Sequence, residues 1–321
     1  MAIGISPLVD YAFKLMLGSP EHSGITMHFL NAVLEGQPRI TQVAFRNSVQ
    51  SMKSEDDQVA VLAIDDNGRR LNLEILTSVP AGLPKRLAYC AAASYADQMG
   101  EGPSDQGPRP SITICVLSGA LYSTPPLLHL DFRMSNFAAK LTETDDFQIR
   151  ILQLQHLQVT AETVWNATPR EQWAYFLSNV ERMTIEDVQR LLPDRVFREA
   201  FGVLDMISQT AEQMLAYNAR LKYQRDEEAR LLQARLDGLD EGRQQGRQQG
   251  LDEGRQKGLE EGVEIGKARG VEIGQLRGRV ALLQELLGRP VWAANEFAAC
   301  DEAQLKMMAE QLEQELRIRE S

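Results

Sequence analysis

The chain has 321 residues, a formal net charge of −11 and a hydrophobic share of 43%. That length holds one core domain of about 150–230 residues plus an appendage. The charge argues against non-specific attraction to nucleic acid, and no apolar run approaches the roughly 18 residues of a membrane span.

Ser6-Pro7 supplies a cap and a first-turn residue, and Leu8, Tyr11, Ala12 and Leu15 follow at helical spacing. Gly18-Ser19-Pro20 breaks this helix, and a second is predicted over 25–34. Residues 39–50 fit a strand. Two apolar runs come next: Val59, Val61 and Leu62, then Leu71, Leu73 and Ile75, with Asp65-Asp66-Asn67-Gly68 between them. This is a strong β-hairpin signal. Alternation sends Leu71, Leu73 and Ile75 to one face, and Asn72, Glu74 and Leu76 to the other. Glu74 is therefore a lone carboxylate on an apolar strand.

A helix is predicted over 84–99, with Leu87, Ala91, Tyr95 and Gln98 near one face. The continuous apolar run 111–117 reads as a buried strand, and 128–134 and 147–157 are further strand candidates. The periodicity is helical from about residue 161. Trp173, Phe176, Phe197, Phe201 and Leu204 supply apolar faces there.

Glycine then recurs at every fourth position, eleven times from Gly238 to Gly278. Each glycine costs a helix about 1 kcal/mol relative to alanine, so an isolated helix here is marginal. Four residues turn about 400°, and a partner follows the drifting stripe only in a right-handed supercoil. Helix–helix association within an oligomer and a charged flexible linker are the two readings. Residues 279–318 resume an amphipathic helix with Val280, Leu283, Leu286 and Leu287 on one face.

Cys90, Cys115 and Cys300, with His22, His28, His129 and His156, show neither disulfide-framework nor metal-ligand spacing. They point to a reducing cytoplasm. The first residues carry no basic region ahead of an apolar one, so no signal peptide is expected.

Several segments together carry a resemblance: Asp10-Tyr11-Ala12-Phe13-Lys14, His28 through Leu34, Asp65 through Glu74, Leu83 through Tyr89, Pro110 through Leu117, and Tyr217 through Glu228. Over roughly residues 6–235 the chain resembles the PD-(D/E)XK nuclease-fold transposase family, the Rpn-type recombination-promoting nucleases. The resemblance implies an α/β restriction-endonuclease-like core with a mixed sheet, then a helical region and the long glycine-repeat helical tail. The expected divisions are 1–160 for the core, 161–237 helical, 238–278 the repeat and 279–321 the C-terminal helices.

In that family a helix acid, an acid on the first hairpin strand and a Glu on the second converge on Mg²⁺. The metal lowers the pKa of a bound water and stabilises the phosphate transition state. The resemblance implies Glu74 and Asp10 as the catalytic and metal-binding acids. The first-strand acid, fourteen residues before Glu74, is Ala60 here, and the Gln or Lys two residues after it is Leu76. Neither replacement ligates metal or carries charge. Asp57 substitutes for the missing acid only through a register shift, and an odd shift turns it to the other face.

Plainer readings stand beside these. Glu74 pairs with Arg69 or Arg70, Asp10 is a solvated helix acid, and Lys14 pairs with Asp10 at i, i+4. Lys85 and Arg86 open a helix whose dipole does not favour cations there, which makes them candidates for phosphate contact. Asp65 and Asp66 are turn formers. The expectation is a member of this family acting on DNA, with phosphodiester hydrolysis impaired or lost. The alternative is a catalytically inactive DNA-binding or self-associating scaffold. DNA and further copies of the chain, joined through the repeat, are the expected partners, with no membrane.

Overall fold

The computed structural model describes residues 2–46, 61–101, 107–136 and 141–320. Its contacts divide the chain into two units, Met1–Ala234 and Arg235–Ser321.

The first unit opens with α1 (Asp10–Leu17) and α2 (Ser23–Val33). The break between them is steric as well as conformational. A Cβ on Gly18 would stand 2.8 Å from the Lys14 carbonyl oxygen and 2.9 Å from a Val61 methyl. Strand β1 (Val43–Phe45) is shorter than the 39–50 expected. The Asn31 side chain bonds both the N–H and the C=O of Ile40, each at 2.9 Å, and so takes those groups from the ladder. Residues 47–60 lie outside the described ones.

The hairpin forms as read. Strand β2 (Val61–Asp65) pairs antiparallel with β3 (Arg70–Leu76). Asp65 organises the turn: its carboxylate accepts from the N–H groups of Asn67 and Arg69, each at 2.9 Å, and from Arg69 Nε at 2.6 Å. Gly68 takes φ +76° within it, which glycine adopts without a Cβ penalty. Asp66 instead accepts from Thr41.

Helix α3 (Leu83–Ala96) crosses over to β4 (Ser111–Leu117), which runs parallel to β3. Strands β5 (His129–Asn136) and β6 (Leu141–Gln153) complete a six-stranded mixed sheet in the order β1-β2-β3-β4-β6-β5. Strand β6 starts earlier and stops earlier than the 147–157 expected. Its first residues pair with the far end of β5 rather than with β4, so they need no apolar run.

Both faces of the sheet are covered. Leu71, Leu73 and Ile75 face a large core with Phe13 and Met16 of α1, Phe29 of α2, and Trp173 and Phe197. Those last two belong to α4 (Pro169–Asn179) and α6 (Arg195–Gln209), with α5 (Ile185–Leu191) between them. Helices α4 and α5 start on capping boxes, Thr168 with Glu171 and Thr184 with Asp187. The opposite face carries a smaller cluster in which Leu83 and Leu87 of α3 pack on Cys115, Leu117 and Ile151.

Helix α7 (Ala211–Leu286) is continuous through the glycine repeat. An added Cβ at any of the eleven repeat glycines would meet nothing within 4 Å. In the second unit, Leu276, Val280, Leu283 and Leu287 pack on Phe297 of α8 (Ala294–Ala298) and on Leu305, Ala309 and Leu312 of α9 (Glu302–Glu320). Leu286, expected on that face, is exposed. It falls six residues after Val280, off the i, i+3, i+7 stripe.

Candidate functional site

Glu74 is the centre of the site because strand alternation turns it away from the large core and toward α3. It is buried, and it lies beside Cys115 in the β3–β4 register. Arg86, in the first turn of α3, places Nη2 2.9 Å from Glu74 Oε2. Cys90 follows one helical turn later and lines the same pocket as the Glu74 carboxylate. Burial first, then the Glu74 charge and hydrogen bond, push the Cys90 pKa up, while Arg86 opposes them. Burial also raises the Cys115 thiol strongly, again with Glu74 adding to the effect. A pocket of about 240 Å³ opens at this place, with Arg46, Asn72, Glu74, Tyr89, Cys90 and Ser94 on its wall.

Leu76, two residues after Glu74, shares its face and packs on the α3 cluster. Ala60 and Asp57 lie outside the described residues. Asp10 is the first residue of α1. It accepts from the Tyr11 N–H at 2.7 Å and pairs with Arg220 of α7 at 3.6 Å. It does not line the Glu74 pocket. Lys85 is exposed beside Arg86.

The expected partnership of Glu74 with Arg69 is corrected: Arg69 is held by Asp65 at the turn. Arg70 lines the Glu74 pocket. Reasoning from sequence named Arg86 for another purpose and missed its pairing with Glu74. The signal available was only that Arg86 and Cys90 stand four apart on one helix face. Two half-buried histidines have defined surroundings. His28 accepts from Trp173 Nε1 at 2.9 Å and meets Asp194 at 3.2 Å. His129 is held to a pKa of about 4, first by burial and then by Arg170 and Arg150.

A family model described as PD-(D/E)XK nuclease family transposase matches residues 7–234. The chain belongs to that family. The matched segment coincides with the first unit and ends where the second begins. The mixed sheet with helices on both faces is the α/β core expected of a PD-(D/E)XK member. No curated protein and no solved structure was matched. No helix among the described residues is long and apolar enough to cross a membrane.

PD-(D/E)XK nucleases generally use divalent metal ions. The described donors around Glu74 do not fit a hard cation of the Mg²⁺ type, which takes oxygen ligands. The carboxylate already faces a guanidinium and lies near two thiols, and of the oxygen-bearing side chains that also line its pocket, Asn72, Tyr89, Ser94 and Asp97, only Asp97 is a second carboxylate. Among the described residues, no three His, Cys, Asp or Glu side chains form a group able to hold a metal.

Proposed function

We propose that this chain keeps the nuclease fold for action on DNA while its own phosphodiester hydrolysis is impaired or lost. The Glu74–Arg86 ion pair carries the reading. A guanidinium fixed against the acid supplies the positive charge that a metal would otherwise bring, but it activates no water. In this reading Glu74 is the remnant of the family's metal cluster, matched to Arg86, while Asp10, expected beside it, pairs with Arg220 and stands outside the Glu74 pocket. Ala60 and Leu76 are the emptied positions. Lys85 is left as the outward cation at the start of α3 for phosphate contact, with Arg86 turned inward. The protein acts in the cytoplasm, a reading supported by its three free cysteines.

The test is nicking of supercoiled plasmid with Mg²⁺ or Mn²⁺. The wild-type chain and Glu74→Ala are expected to be equally inert. Ala60→Asp combined with Leu76→Gln is expected to gain activity. Wild-type nicking that Glu74→Ala abolishes overturns the proposal.

A second reading, a self-associating scaffold, is favoured by one observation on α7. Leu239, Leu251, Leu259, Val263 and Val271 each follow a repeat glycine directly, and all are exposed. Residues 239–279 carry eight basic and eight acidic side chains, a balanced set suited to pairing between copies. Truncation after Asp237 is expected to lower the solution mass measured by light scattering, and an unchanged mass defeats this reading.

A further inference from the structure

Strand β5 is the last strand of the sheet. Its inner edge pairs with β6, and no backbone hydrogen bond joins its outer edge to another described residue. Such an edge is a template for a further strand. The irregularity in the β5–β6 pair lies on the inner strand. Arg133 is opposite Gln148, Met134 opposite Thr144 and Ser135 opposite Thr142, so the additional residues, three at the first shift and one at the second, belong to β6. Strand β5 itself runs from His129 to Asn136 with none inserted.

The side chains of this edge divide cleanly. Leu130 is in register with Ile151, Ile151 with Cys115, and Cys115 with Glu74. Leu130, Phe132 and Met134 therefore project from the face that carries α3, and Asp131 and Arg133 from the other. Phe132 is 41% exposed and Met134 is 54% exposed. Phe132, whose ring also meets Tyr122 of its own chain, and Met134 thus stand partly exposed beside an edge that no described strand pairs.

We propose that two copies of this chain associate edge to edge through β5, antiparallel, with the two-fold axis at Phe132. The strand is self-complementary in that register. Phe132 faces Phe132 of the second copy, and Leu130 faces Met134. On the other face Asp131 is opposite Arg133, twice by symmetry, and these charges, which pair within one copy with each other and with Arg150 and Asp145, meet their opposites again across the seam. Opposite charges and apolar pairs directly across a ladder are favourable, and like charges are not. The neighbouring two-fold registers fail on that ground: one centred on Asp131 sets it against itself, and one centred on Arg133 does the same for the arginine. Registers displaced by one residue would join an even face to an odd one, which a two-fold axis normal to the sheet does not permit. The occupant is thus a second copy, chosen by charge and apolar matching on one strand.

The test uses the full-length chain, so any association through α7 is common to all variants. Phe132→Lys is expected to halve the solution mass by light scattering. Phe132→Cys, meeting its own symmetry mate, is expected to give a disulfide-linked dimer under mild oxidation on a non-reducing gel. Met134→Cys, which faces Leu130 instead, is expected to give no more than the wild-type background from Cys90 and Cys300. The proposal is overturned if the wild-type chain has a monomer's mass. It is equally overturned if Phe132→Lys leaves the mass unchanged, or if Phe132→Cys cross-links no more than wild type.

Discussion

The Arg86 guanidinium stands 2.9 Å from the Glu74 carboxylate, joining the first turn of α3 to the middle of the sheet. Both side chains are largely withdrawn from water, at 26% and 11% exposure. Removing one partner leaves the other charge without its match, which costs more than removing both. Arg86→Ala is expected to destabilise the first unit by about 2 kcal/mol. Arg86→Leu with Glu74→Leu is expected to recover most of it. Urea midpoints at pH 7 check both, and a neutral Arg86→Ala would show that the pair contributes nothing.

The hairpin turn depends on Asp65 more heavily. Its carboxylate serves two backbone N–H groups and Arg69, and both side chains are buried. Asp65→Ala is expected to cost about 3–5 kcal/mol, the range for breaking a buried pair. Asp65→Asn, which keeps an acceptor for the backbone, should cost less. Thermal unfolding of the two variants gives the comparison.

His129 sets a pH dependence. Its pKa falls from 6.5 to about 4 on folding, and its Nε2 is buried with no hydrogen-bond partner among the described residues. The unfolded chain takes up the proton first, so between these two values it holds more protons than the folded one. The contribution is fully present above pH 6.5 and is lost as the pH falls toward 4. Denaturation midpoints should fall from pH 7 to pH 5, and His129→Gln should flatten that fall. An equal fall in both proteins would remove His129 as the cause.

Thiol chemistry separates the cysteines. Cys115 is fully buried with its pKa raised, whereas Cys90 and Cys300 are partly exposed. The thiolate is the reactive form, so Cys115 is expected to resist alkylation at pH 8 until the chain unfolds. Peptide mapping after a short pulse of iodoacetamide tests the order, with Cys300 expected ahead of Cys90 because the Glu74 carboxylate also suppresses the latter.

The repeat glycines meet nothing within 4 Å of an added Cβ. Gly250→Ala with Gly254→Ala is expected to raise helicity by circular dichroism, at about 1 kcal/mol of helix stability per site. If the same change lowers the solution mass, the stripe is a contact between copies and not an open face.

Much of the fold was legible because it rests on short-range rules. The Asp65–Gly68 turn, the alternation of Leu71, Leu73 and Ile75 against Glu74, and the apolar run of β4 each declare themselves within a few residues. Strand β1 starts later than its apolar pattern suggests because Asn31, on the preceding helix, takes the backbone groups of Ile40. Leu286 was misassigned because i+6 falls off a helical stripe whose true members depend on what α9 presents.

The sequence by itself determined the hairpin, the helix–sheet order and the glycine period. These follow from residue chemistry and from spacing along one element. Only the tertiary structure decided that Glu74 is answered by Arg86, that Arg69 belongs to Asp65, that Asp10 pairs with Arg220, and that β5 is an edge strand of the sheet. Each of those joins elements distant in the chain. Which charge meets which is set by packing and burial, where desolvation forces every buried ion to find a partner.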